Sequence, residues 1–331
     1  MEPEALNEAM IHTSACDVLG IAYPIIQAGM ARSNTGADLV AAVSAAGGLG
    51  VLGCLDRPPG EAVAEIRRIR ALTDRPFGVN FVLHRLDEET FAACLAERVP
   101  VFSFFRGDPE DAVARAHAAG AVTIHQVTTV AEAARARAVG VDVLVAQGRE
   151  AGGHMGLHPL HSLLPAVVAV AEDRPVLAAG GIVDGRGMAE ALRLGAAGVA
   201  MGTRFLATPE APIHPAYKQA IVDAPPGATV ASSIFDIIWG EEWPGVQARA
   251  LQNRLTATWV GREDELRAVR AEVLVRLQQA EAAADTQQMI LLAGEGAGAI
   301  HDVRPAGQVV RDVAAEAARL LAMAAGGAAS A

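Results

Sequence analysis

The sequence predicts a (β/α)8 TIM barrel that carries an inserted, mostly helical lid subdomain. Two observations lead to this fold class. Short apolar or β-branched runs recur at near-regular intervals between residues 24 and 201, and Ala-, Glu- and Arg-rich segments with helical periodicity separate them. Strands that alternate with helices imply a parallel sheet, and strands that are apolar throughout imply burial on both faces. A closed barrel with an outer layer of helices satisfies both conditions.

Eight runs have the length and composition of buried strands. In chain order they are residues 24–28, 49–53, 77–83, 101–105, 122–126, 141–147, 176–179 and 198–201. The helical segments between them include residues 60–72, 110–119, 130–139 and 187–194, and several end in a glycine suited to a helix C-cap, namely Gly120, Gly140 and Gly195. The first run leads into Gly29-Met30-Ala31-Arg32-Ser33, which lacks the GxGxxG fingerprint of an open, doubly wound sheet. The eight units therefore favour the closed barrel.

The remaining residues are expected to supply the last barrel helix and the lid. Residues 306–325 have an apolar stripe at helical spacing, which predicts the eighth barrel helix. The barrel is expected to comprise residues 1–208 and 301–331, and the lid residues 209–300, inserted after strand eight over the C-terminal face. Residues 246–284 of this inserted segment are predicted to be mostly helical. Its aromatic residues suit a pocket wall and a lid core equally well: Phe235, Trp239 and Trp243.

Composition and charge limit the partners. Of the 331 residues, 38 are acidic and 27 are basic, which gives a formal net charge of −11. Such a surface disfavours non-specific binding to nucleic acid or to an anionic membrane, so neither is expected as a partner. A small-molecule substrate is expected instead. The sequence leaves the oligomeric state open, with a homodimer as one possibility.

Cysteine usage and the first residues indicate the cytoplasm. Cys16, Cys54 and Cys94 are far apart and form no CxxC or Cys/His ligand spacing, which is typical of reduced thiols. Glu2 and Glu4 precede any apolar run, and their charge is opposite to that at the start of a secretory signal. No stretch of about 18 apolar residues is free of charge, Gly and Pro. We therefore expect a cytoplasmic protein.

Two glycine turns predict a site for a phosphate group. Gly180 and Gly181 follow the seventh strand, and Gly202 and Thr203 follow the eighth. Glycines let backbone N–H groups approach an anion closely, and the Thr203 hydroxyl adds a donor. The loops after strands seven and eight are the usual phosphate site of this barrel. The ligand is therefore expected to carry a phosphate.

Two neutral amides narrow the choice of ligand. Asn80 and Gln126 stand at the ends of the third and fifth strands. An amide donates and accepts hydrogen bonds at once, which suits the edge of a flavin ring. A sugar-phosphate aldolase would more often place a lysine at a strand end, but Lys218 lies beyond strand eight. This pattern argues against a Schiff-base mechanism.

His154 is the candidate catalytic residue. It follows Gly152 and Gly153 after the sixth strand, where the glycines leave space for a flat ligand beside the imidazole. An imidazole there can act as a general base or donate a hydrogen bond to a bound anion. Three other histidines are rivals for this role: His84, His158 and His161. No carboxylate–histidine pair in a fixed pattern accompanies them, so no metal site is expected.

Five motifs at strand ends resemble the nitronate monooxygenase family, formerly called 2-nitropropane dioxygenases. They are Pro24-Ile-Ile-Gln-Ala-Gly-Met30, Phe77-Gly-Val-Asn80, Glu150-Ala-Gly-Gly-His154, Ala178-Ala-Gly-Gly-Ile-Val-Asp-Gly-Arg-Gly187 and Met201-Gly-Thr-Arg-Phe205. The resemblance runs from the first strand to the C-terminus and includes Ile213-His-Pro-Ala-Tyr-Lys218. It implies an FMN-containing TIM barrel with a smaller lid domain.

The resemblance also implies roles for individual residues. Those implied to lie around FMN are Ala28, Gly29, Met30, Asn80, Gln126, Gln147, Gly152, Gly153, Ala179, Gly180, Gly181, Met201, Gly202 and Thr203. His154 matches the family's active-site histidine, which binds an anionic nitronate or removes the α-proton of a neutral nitroalkane. In that family the nitronate gives one electron to FMN and O₂ takes it onward, which yields a carbonyl compound and nitrite. No nicotinamide is needed.

The same motifs resemble the flavin-dependent enoyl-acyl-carrier-protein reductases, which use NAD(P)H to reduce a C=C bond. The turn Gln27-Ala-Gly-Met30 is intermediate, because many nitronate enzymes have Pro before the Met whereas the reductases tend to have Gly. The stretch Phe205-Leu-Ala-Thr-Pro-Glu-Ala-Pro-Ile-His-Pro favours the nitronate enzymes. An enoyl-thioester reductase is therefore the alternative hypothesis, and a flavin binder with neither activity is a third.

Overall fold

The computed structural model describes residues 11–32 and 34–328, and it confirms the predicted barrel. The strands are β1 (Ile25–Gln27), β2 (Leu49–Gly53), β3 (Phe77–Val82), β4 (Val101–Phe105), β5 (Val122–Val127), β6 (Val143–Gln147), β7 (Gly153–His154), β8 (Val176–Ala179), β9 (Gly198–Met201), β10 (Thr229–Ser232) and β11 (Ala248–Leu251). All but β7, β10 and β11 form one closed parallel barrel, in which β1 pairs with β9. Each predicted strand coincides with a barrel strand to within two residues. Residues 1–10, with the glutamates that argue against a secretory signal, lie outside the described residues.

The helices between the barrel strands and the C-terminal helix cover the outside of the barrel, and the other helices lie at its N-terminal end, directly after β9 or in the inserted segment. In chain order the helices are α1 (Ser14–Leu19), α2 (Ala37–Ala45), α3 (Pro59–Leu72), α4 (Glu88–Ala96), α5 (Glu110–Ala118), α6 (Val130–Ala138), α7 (Leu160–Ala171), α8 (Gly185–Arg193), α9 (Thr203–Leu206), α10 (Pro215–Val222), α11 (Ile234–Trp239), α12 (Arg254–Trp259), α13 (Glu263–Ala283) and α14 (Ala306–Ala328). The long α14 packs against α8 and α2, as expected for the eighth barrel helix. Helices α14 and α8 are also joined by a hydrogen bond, in which Gly185 N donates to the Glu316 carboxylate (2.9 Å). Within residues 11–32 and 34–328, no helix is long and apolar enough to cross a lipid bilayer.

Alternate strand residues fill the barrel interior. The inward side chains form one buried cluster that includes Ile26, Leu49, Val51, Val101, Ile124, Val143, Val145 and Leu177. Successive side chains of a barrel strand alternate between the interior and the helix layer. Helix α1 adds Ala15, Cys16 and Leu19 to this interior cluster, and Thr13 Oγ1 donates to the carbonyl of Ala197, just before β9. The short α1, which the sequence analysis did not predict, therefore closes the N-terminal end of the barrel.

The inserted segment, residues 209–300, contains α10 to α13 and also β10 and β11, which form an antiparallel sheet with β7. Residues 246–284 are mostly helical, as predicted, but Ala248–Leu251 within them form a strand that the sequence analysis does not predict. These residues, Ala-Arg-Ala-Leu, favour a helix by intrinsic propensity, but burial of all four and pairing with β10 override that preference. The bounds of the lid at 209 and 300 stay a prediction.

The small sheet fixes the backbone of His154. Strand β11 pairs with β7, which places Ala248 opposite His154 and Arg249 opposite Gly153. The buried Arg249 side chain donates to the carbonyl of Arg149 (3.0 Å) and forms an ion pair with Glu295 (2.9 Å). A buried guanidinium with its donors satisfied holds these segments together. The inserted segment is thus tied to the mouth of the barrel at the candidate histidine.

Candidate active site

A cavity of about 200 Å³ opens at the C-terminal ends of the barrel strands. It is lined by every residue that the sequence analysis assigned to cofactor binding or catalysis: Ala28, Gly29, Met30, Asn80, Gln126, Gln147, Gly152, Gly153, His154, Ala179, Gly180, Gly181, Met201, Gly202 and Thr203. The barrel brings these residues together because each follows or ends a strand. Trp243, which the sequence analysis offers for either a pocket wall or a lid core, also lines the cavity. Other lining residues are not predicted from sequence, among them Asn34, Leu55, Ser103, Phe105, Leu292, Gly294 and Gly296.

Glycines from two barrel loops and one inserted loop meet in this cavity. Gly180 and Gly181 have φ values of 121° and 71°, in the region that side chains disfavour. A Cβ on Gly296 would lie 2.3 Å from the carbonyl oxygen of Gly181, so the two backbones are in contact. Gly294 N donates to the Thr203 hydroxyl (2.9 Å). Concave backbone of this kind suits an anion such as a phosphate.

The sequence analysis does not predict that the segment 292–296 contributes to the cavity lining. The sequence analysis placed the anion site only in the loops after the seventh and eighth barrel strands, whereas the structure adds Gly294 and Gly296 from the inserted segment. A Cβ on Gly294 would lie 2.8 Å from the carbonyl oxygen of Glu150, so this loop also lies against the chain before His154. The run Gly294-Glu-Gly-Ala-Gly298 was the available signal. It was overlooked because it stands far from any barrel strand in sequence.

Amide side chains give the cavity its polar groups. Gln147 Nε2 donates to the carbonyl of His154 (3.1 Å), while its Oε1 is buried and accepts no hydrogen bond from the described residues. Asn80 Nδ2 donates to the Ser103 hydroxyl (3.1 Å). A buried acceptor without a donor costs about 1–3 kcal/mol, so it indicates a ligand with an N–H or O–H at this position. Gln126 lies on the same lining.

The turn after β1 accepts only glycine at position 29. A Cβ on Gly29 would lie 2.4 Å from the Cβ of Asn80 and 3.1 Å from Cγ1 of Val51. The buried Gln27 side chain holds the turn, because its Oε1 accepts from Val51 N (3.1 Å) and its Nε2 donates to Val51 O (3.1 Å). The backbone of the turn therefore packs directly against β2 and β3, and Met30 lines the cavity.

His154 is held by two residues of the inserted segment. Its Nε2 is 2.8 Å from Oδ1 of Asp236, and only 13% of its side chain and 7% of that of Asp236 are exposed. Its ring stacks on Trp243, with 3.4 Å between ring centroids and 14° between planes. His84 meets the same indole edge-on, at 4.5 Å. A carboxylate and an aromatic face thus fix the position of the imidazole.

The three aromatic residues of the inserted segment have different surroundings. Trp243 lines the cavity and packs in a buried cluster with Val82 and Phe105 of the barrel. Phe235 is fully buried in the core of the inserted segment and does not line the cavity. Trp239 borders that core, and the guanidinium of Arg32 lies 3.6 Å from its ring centroid. Only Trp243 is therefore placed to meet a ligand beside His154.

Glu241 fastens the loop that carries Trp243. Its carboxylate accepts a hydrogen bond from Trp243 Nε1 (3.1 Å) and forms ion pairs with Arg32 and with Arg85, the latter at 2.6 Å. Burial acts to raise the pKa of Glu241, but the hydrogen bond from Trp243 and the charges of Arg32 and Arg85 outweigh it and hold the pKa below its usual value. The loop is thus attached to the barrel by charge as well as by packing.

The rival histidines do not reach the cavity. His158 and His161 are exposed on the chain after His154 and are absent from the lining. His84 lies behind Trp243, where burial and the charges of Arg85 and Arg106 lower its pKa. Lys218 is buried and donates to the carbonyl of Pro209 (3.0 Å), away from the lining. Among the described lining residues, His154 is therefore the one histidine.

Comparison with known proteins identifies the family of the chain. Residues 12–96 and 87–316 match the sequence profile of the nitronate monooxygenase family. A nitronate monooxygenase of Pseudomonas aeruginosa is 35% identical over 286 residues, which cover 72% of this chain and 79% of that protein. Among solved structures, FabK from Thermotoga maritima is similar with a TM-score of 0.86 and 34% identity, over 96% of this chain and 99% of that one.

A further relative acts on a coenzyme A thioester, according to its name. The (3aS,4S,5R,7aS)-5-hydroxy-7a-methyl-1-oxo-octahydro-1H-indene-4-carboxyl-CoA dehydrogenase of Mycobacterium tuberculosis is 40% identical over 229 residues, or 68% of this chain. The match spans 64% of the length of that relative, which is less than two thirds. The family profile, by contrast, covers most of the chain. The chain therefore belongs to the nitronate monooxygenase family.

Proposed function

We propose that this chain binds FMN and oxidises alkyl nitronates with O₂ to a carbonyl compound and nitrite. The observation that carries the proposal is the imidazole of His154 in a cavity that is otherwise lined by glycine backbone, apolar side chains and neutral amides. The described lining contains no Asp, Glu, Lys or Arg. His154 is therefore the one lining side chain suited both to bind an anion and to take a proton near neutral pH.

The cavity fits FMN in two respects. The backbone at Gly181, Gly294 and Gly296 with the Thr203 hydroxyl suits the phosphate, and the unpaired Oε1 of Gln147 suits an N–H of the flavin ring. We propose that the residues named in the sequence analysis as lying around FMN hold it here, joined by Gly294 and Gly296. Bound FMN would supply the electron transfer that amino-acid side chains lack.

The roles of the protein residues follow from charge. A nitronate carries its negative charge on the nitro oxygens, so a protonated imidazole at His154 binds it, whereas a neutral imidazole removes the α-proton of a nitroalkane. Trp243 covers one face of the imidazole, and Phe105 packs beside Trp243. This aromatic cover excludes water from one side of the ring and orients the other side towards the substrate.

The direct test is turnover in air. The protein, reconstituted with FMN, is mixed with ethyl nitronate or propionate 3-nitronate, and nitrite and O₂ consumption are measured together. The proposal expects both signals in amounts that rise with enzyme concentration. Nitrite no higher than in a control with free FMN alone would reject the proposal.

The alternative is an NAD(P)H-dependent reduction of an enoyl thioester. The observation that favours it is Gly29, since the reductases tend to have glycine before the Met. A Cβ at this position would lie 2.4 Å from the Cβ of Asn80, so the fold requires glycine here. Anaerobic addition of NADPH to the FMN-loaded protein distinguishes the two functions. Rapid loss of flavin absorbance supports the reductase, and a flavin that stays oxidised for minutes excludes it.

The coenzyme A dehydrogenase relative suggests the same substrate class in the oxidative direction. Removal of a proton α to a thioester carbonyl is chemically similar to removal of a proton α to a nitro group, and His154 is placed for either. An anaerobic titration of the FMN-loaded protein with a saturated acyl-CoA tests this option. Bleaching of the flavin by the acyl-CoA, with no nitrite formed from nitronates in air, would replace the leading proposal.

A further inference from the structure

A single carboxylate lies inside the apolar core of the inserted segment. Asp236 belongs to α11, whose sequence is Ile-Phe-Asp-Ile-Ile-Trp, and it is 5% exposed. Its helix neighbours Phe235 and Ile237 are buried and apolar. Burial of an ionised carboxylate is unfavourable unless a partner compensates it. Among the described residues the partner of Asp236 is His154, at 2.8 Å.

The contact determines which nitrogen of His154 carries the proton. An ionised carboxylate only accepts hydrogen bonds, so an ionised Asp236 requires a neutral His154 to carry its proton on Nε2. In that tautomer Nδ1 carries the lone pair. Because Trp243 covers one ring face, Nδ1 and the opposite face are the parts of the ring left to a ligand.

We propose that Asp236 is a positioning residue that holds His154 in the Nε2–H form, so that Nδ1 takes the α-proton of a neutral nitroalkane. The inference rests on the proposed function and concerns its neutral nitroalkane substrates, because only these require removal of a proton. In this step the Cα–H bond breaks, the proton moves to Nδ1, and the electron pair remains on the substrate as the nitronate. The imidazolium that forms is neutralised by Asp236, which itself gains no proton.

Other charged groups near the ring do not contact it. Glu241 bonds to Trp243 Nε1 and not to the imidazole. His84 packs edge-on against the indole of Trp243 and interacts with His154 through charge, and Arg106 donates to the carbonyl of Met155 at 3.5 Å. Among the described residues, Asp236 is the carboxylate in hydrogen-bond contact with the imidazole, and its removal breaks that contact.

A second histidine–carboxylate pair, more exposed than the first and outside the cavity, supplies a control. His117 Nε2 lies 2.9 Å from Oδ2 of Asp142, which also accepts from Thr123 N (2.8 Å). His117 belongs to α5 on the outside of the barrel, and neither residue of the pair lines the cavity. Asp142→Asn therefore changes a histidine–carboxylate pair without touching the site.

The experiment compares wild type, Asp236→Asn, Asp236→Glu and Asp142→Asn, each loaded with FMN. Rates are measured with nitroethane, which needs deprotonation, and with ethyl nitronate, which does not. In Asp236→Asn the amide N–H₂ faces Nε2 and favours the opposite tautomer, so kcat/KM for nitroethane should fall about 10²–10⁴-fold. The kcat for saturating ethyl nitronate should change by less than about 5-fold, since that reaction omits the proton transfer, whereas its KM should rise because the imidazolium that binds the anion loses its carboxylate partner. Asp236→Glu should recover part of the nitroethane rate, and Asp142→Asn should keep the wild-type ratio of the two rates.

Nitrogen NMR of protein labelled with ¹⁵N-histidine reads the tautomer without any turnover. The His154 signals are assigned from their loss in His154→Asn. The proposal expects the Nε2–H form in wild type and a shift to the Nδ1–H form in Asp236→Asn. Nδ1–H in wild type, or an unchanged tautomer in Asp236→Asn, overturns the role of Asp236 whatever the activity.

The rate measurements and the NMR measurement distinguish failure of the proposed function from failure of the positioning role of Asp236. If neither substrate is consumed by wild type while the tautomer changes as expected, the proposed function fails and the positioning role stands. Equal loss of both rates in Asp236→Asn, with FMN retained, overturns the assignment of Asp236 to proton transfer. If Asp236→Asn does not fold, two measurements still test the role of Asp236. They are the tautomer of His154 in the wild-type NMR spectrum and the nitroethane and nitronate rates of Asp236→Glu.

Discussion

The barrel and the inserted segment contribute different parts of the same cavity. Barrel loops provide the backbone of Gly181, the Thr203 hydroxyl and the amide of Gln147. The inserted segment provides Asp236 and Trp243, which hold His154 by its edge and its face. Under the proposed function, the repeated strand–loop units supply most of the cradle of residues around FMN, whereas the inserted segment adds Gly294 and Gly296 and positions the histidine.

The largest expected effect comes from the residue where the two regions meet. His154→Asn should leave FMN binding intact, because the cradle belongs mainly to the barrel, while turnover of a neutral nitroalkane falls about 10²–10⁴-fold with the loss of the base. Nitroethane-dependent O₂ uptake and the flavin spectrum measure the two properties. The control is His158→Asn, an exposed rival absent from the lining, which should behave as wild type. Near-wild-type turnover by His154→Asn would assign the base to another group.

A smaller effect tests whether the inserted segment also belongs to the cradle. In Gly296→Ala the new Cβ would lie 2.3 Å from the carbonyl oxygen of Gly181, so one of the two backbones must shift. We expect FMN to bind at least about tenfold more weakly, equivalent to about 1.4 kcal/mol. FMN titration of the apoprotein, followed by flavin fluorescence, measures the change.

The result for Gly296→Ala is compared with two other glycine variants. Gly181→Ala, on the barrel side of the same contact, should weaken FMN binding as well, because its φ of 71° disfavours a side chain. Gly60→Ala, at a position where a Cβ meets no atom within 4 Å, should bind FMN as wild type does. If Gly181→Ala weakened FMN binding and Gly296→Ala did not, the FMN site would belong to the barrel and not to the inserted segment.

The same contrast explains what the sequence could predict. Barrel strands are local features, since each buried apolar run and the glycine or amide at its end is visible within a few residues. The predicted cavity residues therefore came together in the structure. Asp236 could not be placed in this way, because its partner lies 82 residues earlier in the chain. A lone Asp in Ile-Phe-Asp-Ile-Ile-Trp is ordinarily read as the solvent-facing position of an amphipathic helix.

The error at Ala248–Leu251 has a similar cause. Ala, Arg and Leu are strong helix formers, so propensity predicts a helix where the structure has a strand. The strand exists because its neighbours, β10 and the two residues of β7, are brought alongside by the rest of the fold. Sequence patterns short enough to be satisfied by either helix or strand are decided by such tertiary contacts.

The smallest effect concerns how the inserted segment is attached to the barrel. The folded-state pKa of Glu241 is held below the usual value of about 4.3, so its interactions stabilise the fold above that pH and are lost as the pH falls through the folded-state pKa. At pH 7 we expect Glu241→Gln to unfold at lower temperature, because partly exposed ion pairs with Arg32 and Arg85 contribute about 0.2–1 kcal/mol each. The difference from wild type should shrink as the pH falls below the usual value and through the lowered folded-state pKa, as measured by thermal unfolding monitored by circular dichroism. Asp38→Asn, which breaks an exposed pair with Arg68, should change Tm less at pH 7. A Glu241→Gln difference that persists at the acid end would mean that Glu241 acts through the packing of Trp243 and not through its charge.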